Sequence, residues 1–354
     1  MKKIISISFL SLILLYGTLL AKEYKFEYQK DIDVTGKAEL RVSNTAGIIK
    51  VTGGPVNKIS VHAVKNVRAA DPDEAEKVSN HIEIRVSKTG NRVLIATNYI
   101  KMTEGSRSIW QKIFGGGEDS FGAVDYDIVV PLDCGLDIEN VSGDVTVSDL
   151  NEEVYVAATS GNLYVHNIRG KVDLEATSGD IRVAEIGGDI RISAISSDVR
   201  VDSITGAIDI RSTSGNTSGR RIFGSMAISE TSGDVELEDL TGDIRVKSTS
   251  GKITARQDSG SVDIVTNSGD VDLESSIYSG GNYYVESGSG RIYFAVPSTS
   301  SGSVDMQTIS GDIRSDMPMT VKSRSSTRLQ GDFGKDGPEI ILKTQSGDIS
   351  FGQY

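Results

Sequence analysis

The sequence predicts an all-β protein, a single-stranded parallel β-helix (β-solenoid) of about 18 residues per coil with a β-rich capping region on its N-terminal side. Three observations predict it. Glycine or a stand-in recurs every nine residues from Gly143 to Gly269, through Gly161, Gly179, Gly206 and Gly242. Apolar residues follow each mark by two and four places with polar ones between, as in Val145 and Val147 or Ile181 and Val183, the period of a strand buried on one face. Serine precedes every second mark, giving the register Ser142, Ser160, Ser178, Ser196, Ser214, Ser232, Ser250 and Ser268.

An eighteen-residue circuit of two short strands and two corners accounts for all three, because equivalent residues then stack about 4.8 Å apart. Like side chains become ladders. No single coil buries enough to stand alone, so stability must come from stacking neighbours. Parallel strands joined by crossovers favour a right-handed coil.

Taken from the start of the chain, Met1-Lys2-Lys3, an apolar run from Ile4 to Leu20 and Ala21 before Lys22 have the order of a secretory signal, assigning residues 1–21 to a cleaved signal peptide. An uncleaved membrane anchor is the competing reading. No later stretch is long and apolar enough to span a bilayer, so no transmembrane segment is expected after cleavage. The protein is expected to be exported, whether periplasmic, on the outer surface or secreted.

Residues 22–140 carry strand-like segments such as Ala38 to Val42 and Ile59 to Val64, and one short helix. Its start is marked by Asp71, Pro72 and the acidic Asp73 and Glu74, with Ala75 and Val78 on the buried side. A solenoid end exposes strand edges that need cover. This region is expected to supply it, and is a candidate for the start of the coil.

Residues 141–354 form the solenoid, regular over 141–275 and irregular over 276–354, where the motif persists as Ser310-Gly311-Asp312-Ile313 and Ser346-Gly347-Asp348-Ile349. The pattern suggests about eleven coils and a rod on the order of 50 Å. The Asp or Asn after each Ser-Gly is expected to cap local amides as an Asx-turn. After Gly215, Thr217 and Ser218 stand where the pattern wants an apolar residue and its neighbour, predicting a bulge or local loop there.

The entry Leu40-Arg41-Val42-Ser43-Asn44 with Gly47 and Ile49 to Gly53, the strand Ile59 to Val64, the segment Asp125 to Pro131 and the repeated Ser-Gly-Asp-Val together resemble the bacterial "putative adhesin" domain of unknown function, the DUF4097-like β-strand-repeat proteins. The resemblance covers most of residues 36–350. It implies adhesion and supplies no catalytic residue to carry over.

The chemistry of the side chains agrees with a binding or structural role. With 37 basic against 49 acidic residues the chain is acidic and lacks the clustered Lys and Arg that nucleic acid requires. Its three histidines have no metal spacing, and the single Cys134 excludes an internal disulfide and reads as a small buried hydrophobe. Asp and Arg alternate at outward positions such as Asp173, Arg182, Arg191 and Asp209, which reads as solvated cross-strand pairing, not a catalytic cluster. Turn capping accounts for the aspartates better than calcium between coils, and the threonines lack the paired flat row of an ice-binding face. Ile109, Trp110, Ile113 and Phe114 fall on one helical face and form a candidate partner-contact or cap patch.

No cofactor is expected. The leading expectation is a non-enzymatic exported solenoid presenting repetitive faces to a surface glycan or protein. A self-assembling envelope protein joined end to end is the alternative, and a polysaccharide-active enzyme is the third reading.

Overall fold

Ser160 lies opposite Ser178 and Leu163 opposite Ile181, so a chain eighteen residues further on returns to the same place one level up. The computed structural model describes residues 22–99 and 121–354. Each coil gives one strand to each of two long sheets, of 15 and 16 strands among the described residues. Strand Val172–Ser178 buries Val172, Leu174 and Ala176, and Ile181–Ile186 buries Ile181, Val183 and Ile186, so six inward side chains per coil meet between the sheets. The fold class is the β-solenoid that the repeat predicts.

Strict alternation would have turned Ile168 and Ile186 outward. Instead the preceding residue takes a left-handed conformation in six successive coils, with φ of 63° at Asp149, 54° at Asn167, 57° at Glu185, 58° at Ser203, 53° at Arg221 and 52° at Asp239. That bulge returns Leu150, Ile168, Ile186, Ile204, Ile222 and Leu240 to the core. One coil later the register shifts, and Gln257 takes the interior place, donating to the Gly242 and Ser261 carbonyls (2.5 and 3.3 Å) and accepting from Ser275 Oγ (2.8 Å).

The corner glycines answer to two constraints. Gly251 has φ of 120°, and a Cβ there would lie 1.9 Å from the Gly233 carbonyl oxygen of the coil below. Positive φ and close stacking therefore both select glycine.

The aspartate column works differently from the Asx-turn expected of it. Asp144 Oδ1 accepts from the backbone N–H of Asn162, Asn162 Oδ1 from Asp180 and Asp234 Oδ1 from Lys252, at 2.8 to 2.9 Å. Each side chain bonds the next coil up, because a stacked corner brings that amide nearer than any local one.

The loop predicted after Gly215 is absent as well. Thr217–Phe223 stays in register with Val199–Thr205 below and Val235–Thr241 above. The space that Gly219 leaves is taken by the Leu237 and Met226 side chains, whose tips lie 3.1 and 3.3 Å from where its Cβ would be.

Both ends of the rod are woven out of chain order. The N-terminal region runs β1 (Lys22–Asp33), β2 (Ala38–Ala46), β3 (Ile49–Gly54), β4 (Lys58–Ala69), α1 (Pro72–His81), β5 (Ile82–Thr89), β6 (Arg92–Tyr99) and β7 (Phe121–Pro131), then β8 (Cys134–Ser142) and β9 (Val145–Leu150). β2 and β3 form a coil in register with β8 and β9, while β6 and β7 stack on its other side. A division at residue 140 therefore falls inside β8, and coil geometry begins at Ala38; the inserted residues between β3 and β8 hide this from the period. Antiparallel strands close the end: β4 pairs with β7, β1 with β4, and β5 with β6. In α1, Asp71 accepts from the Glu74 amide at 2.8 Å and Glu74 accepts from the Ala70 amide at 3.1 Å, fixing its first turn.

At the other end Glu339–Ser346 and Ile349–Gln353, last in sequence, are wedged between the coil of Tyr283–Ser289 and Ile292–Val296 and the coil of Gly302–Ser310 and Ile313–Ser315. Arg328–Phe333 and Thr320–Arg324 then pair antiparallel as cover. Among the described residues thirteen parallel levels stack in each sheet: the eleven expected of the solenoid region, counted from β8 and β9 onward, and two more supplied by β2 with β3 and by β6 with β7. Twelve spacings give a stack about 58 Å long.

Candidate binding face

The serine register is continuous along one corner of the larger sheet. Ser142 through Ser268 stand opposite one another level by level, and Ser289, Ser346 and Ser310 extend the column. Ser289 escapes a search at fixed spacing because it lies 21 residues after Ser268, and Ser346 and Ser310 because their order in space is not their order in sequence. Ser178 Oγ donates to the Thr159 carbonyl at 3.2 Å and reaches Ser160 Oγ at 3.4 Å, while Ser250 Oγ donates to the Thr231 carbonyl at 3.4 Å. Part of the ladder's hydroxyl capacity is thus spent on tying levels together, and the hydroxyls remain at the surface.

Beside the serines the inward positions change in size. The inward column here is Asn44, Asn140, Ala158, Ala176, Ala194 and Ser212, all small beside the Val, Leu and Ile two places earlier. The outer surface along this column is a shallow groove of about 600 Å³ crossing six levels. At about 4.8 Å per level it is about 25 Å long.

Two outward columns line this groove. One is β-branched throughout, Thr45, Val141, Thr159, Thr177, Ile195 and Thr213, with Val141 and Ile195 about half exposed. The other is mixed, Ser43, Glu139, Ala157, Glu175, Ser193 and Arg211. The groove therefore offers methyls at every level, hydroxyls at every level but that of Val141, and a solvated charge at every second one. Glu139 and Glu175 stand two levels, about 9.6 Å, apart. Neither is set up as a general acid: Glu139 is ion-paired to Arg41 at 2.7 Å and half exposed, Glu175 is exposed, and a catalytic acid needs a buried carboxyl held protonated.

Elsewhere the outward charges pair as expected for a solvated surface, including Arg211 with Asp209 (3.0 Å), Arg220 with Asp202 (3.0 Å) and Arg245 with Asp263 (3.1 Å). Among the described residues no group of His, Cys, Asp and Glu is placed to hold a metal ion. Cys134 is fully buried at the start of β8, and burial pushes its thiol up to about 12. The candidate patch Ile109, Trp110, Ile113 and Phe114 lies outside the described residues.

One buried group was not singled out by the sequence. Glu230 occupies the same inward column as Ala194 and Ser212 and is 5% exposed. Its neighbours in that column donate to corner carbonyls: Asn140 Nδ2 to Gly143 (2.8 Å) and Gly47 (3.2 Å), Ser287 Oγ to Gly269 (3.1 Å) and Thr344 Oγ1 to Gly290 (3.3 Å). Desolvation pushes the Glu230 carboxyl up to about 7, which the Thr217 hydroxyl partly offsets and Asp234 reinforces.

A family model described as Toastrack DUF4097 matches residues 37–240, 217–276 and 241–351. No curated protein matches the chain. Among solved structures it is similar to a "putative adhesin" from Bacteroides fragilis, at 11% identity over 92% of this chain and 97% of that one with a TM-score of 0.34. It is similar also to a "putative adhesin" from Parabacteroides distasonis, at 10% identity, 93% and 97% coverage and a TM-score of 0.34. A "putative lipid binding protein" from Parabacteroides distasonis matches at 12% identity, 93% and 96% coverage and a TM-score of 0.36.

Proposed function

This chain belongs to the Toastrack DUF4097 family, and on that premise we propose that it is an exported, non-enzymatic adhesin-like solenoid whose groove receives an extended glycan at the cell envelope. The observation that carries the proposal is the six-level groove, where a β-branched residue recurs at every level and a charged one at every second level. A polymer that repeats its own polar groups along its length would meet an equivalent contact at each level. Affinity then accumulates from many weak contacts without any reactive centre. Export is supported by the first 21 residues, whose order is that of a secretory signal.

The test is retention of envelope polysaccharides and envelope proteins by the immobilised protein, beside a groove-blocked Thr159→Arg/Thr177→Arg variant. Both threonines face outward, so the variant is expected to fold. Glycan retained by the parent and lost by the variant supports the proposal. Retention of protein alone, equal retention by both, or none at all would overturn the glycan assignment.

A further inference from the structure

A sheet edge that is left open is a template for another strand, and folded proteins keep such edges short, twisted or covered. Three of the four sheet edges follow that rule: Ile313–Ser315 has three residues, Thr320–Arg324 five and β5 eight. The fourth is β1, with twelve residues and no proline, pairing along its whole length with β4 on one side only among the described residues.

The side chains of β1 are self-complementary. Tyr24, Phe26 and Tyr28 share one face and are only half buried, packed at the margin of the core. Lys25 and Glu27 share the other face at 65% and 70% exposure, at 4.0 Å from Glu23 and His62 respectively. Residues directly opposite in an antiparallel pair lie on the same face. Two copies paired about a two-fold axis through Phe26 would set Phe26 against Phe26, Tyr24 against Tyr28, and Lys25 against Glu27 twice, with the one like pair, Lys22 against Lys30, out at the ends. Moving the axis to Lys25 or Glu27 puts like charges opposite each other, and a one-residue slip puts aromatics against charges.

We propose that β1 is a self-association edge, through which a second copy of this chain adds antiparallel about Phe26 to join two solenoids end to end into one continuous sheet. The half-exposed aromatics of both copies then form one covered stripe, and the free amides and carbonyls of both edges find partners. This rests on the edge strand alone and is independent of what the groove binds.

Sedimentation of the purified, processed protein over a concentration series gives the test. The parent is expected to dimerise reversibly. Lys25→Glu and Glu27→Lys each replace two opposite pairs by two like pairs, which is expected to weaken association by about tenfold or more. Mixing the two variants restores opposite pairs across the axis and is expected to give a heterodimer. A parent that stays monomeric, a dimer indifferent to either substitution, or a mixture that fails to associate would overturn the proposal.

Discussion

Replacing Glu230 by Gln should make the solenoid more stable at neutral and alkaline pH. The column it occupies is one of donors aimed at corner carbonyls, and an ionised carboxylate has no proton to donate. Both Glu230 carboxyl oxygens are buried without a hydrogen bond of normal geometry, so ionisation would bury an unpaired charge, which accords with a carboxyl pushed up to about 7 from 4.5 by desolvation. The native state therefore keeps a proton that the unfolded chain releases. Stability should fall as pH rises from about 4.5 to about 7, and this contribution should level off on either side. A difference of roughly 2.5 pH units at about 1.4 kcal/mol each puts the loss at about 3 kcal/mol. Gln keeps the donor and cannot ionise, so its variant should match the parent near pH 4 and exceed it by up to about that amount at pH 8. Urea unfolding of both proteins across this range measures the difference directly. Two stability profiles that run parallel, with no gap opening through the window, would refute the reasoning.

The remaining predictions concern the corners and the core. Gly251→Ala should destabilise by about 2 kcal/mol or more, since its Cβ would collide with the Gly233 carbonyl. Gly36→Ala, at φ of 69° but with nothing within 4 Å, should cost about 1 kcal/mol; equal losses in thermal unfolding would discredit the stacking argument. Asp234→Ala should cost about 1 to 2 kcal/mol by stranding the Lys252 amide, whereas Asp234→Asn should be nearly silent, as Asn216 already serves in that column. Cys134 should resist a thiol reagent in the native protein and react fully in urea; fast native labelling would contradict its burial.

What could be read from the residues, and what could not, follows from where the information lies. The circuit length was visible because Ser142 to Ser268 repeat a chemical constraint at every turn of one corner. The first coil was obscured because the chain leaves after Gly54 and returns only at Cys134, so Gly47 and Gly143 share a corner without sharing a spacing. The last coil was obscured for the same reason, since Ser346 enters between Ser289 and Ser310. Asp144 and Asn162 announced a hydrogen bond but not its partner, which is set by stacking and not by local turn chemistry. The bulge was masked because Glu185, Ser203 and Arg221 are ordinary outward residues, and only the coil geometry forces them to positive φ. The groove is lined by Ala158, Ala176 and Ala194, which fit the apolar pattern by type and depart from it by size. Glu230 breaks the pattern outright, and polarity at an inward position was the signal that could have found it.

Every conclusion about the groove, the ladders and Glu230 presupposes that one circuit closes in eighteen residues. Spin labels at Ser142→Cys and Ser268→Cys, in a Cys134→Ala background, test that circuit by their separation. Seven levels at about 4.8 Å place the two backbones about 34 Å apart, and the account predicts one narrow distance distribution there, widened only by the label arms. A mean separation of about 20 Å or less, or a broad spread with no peak, would contradict it.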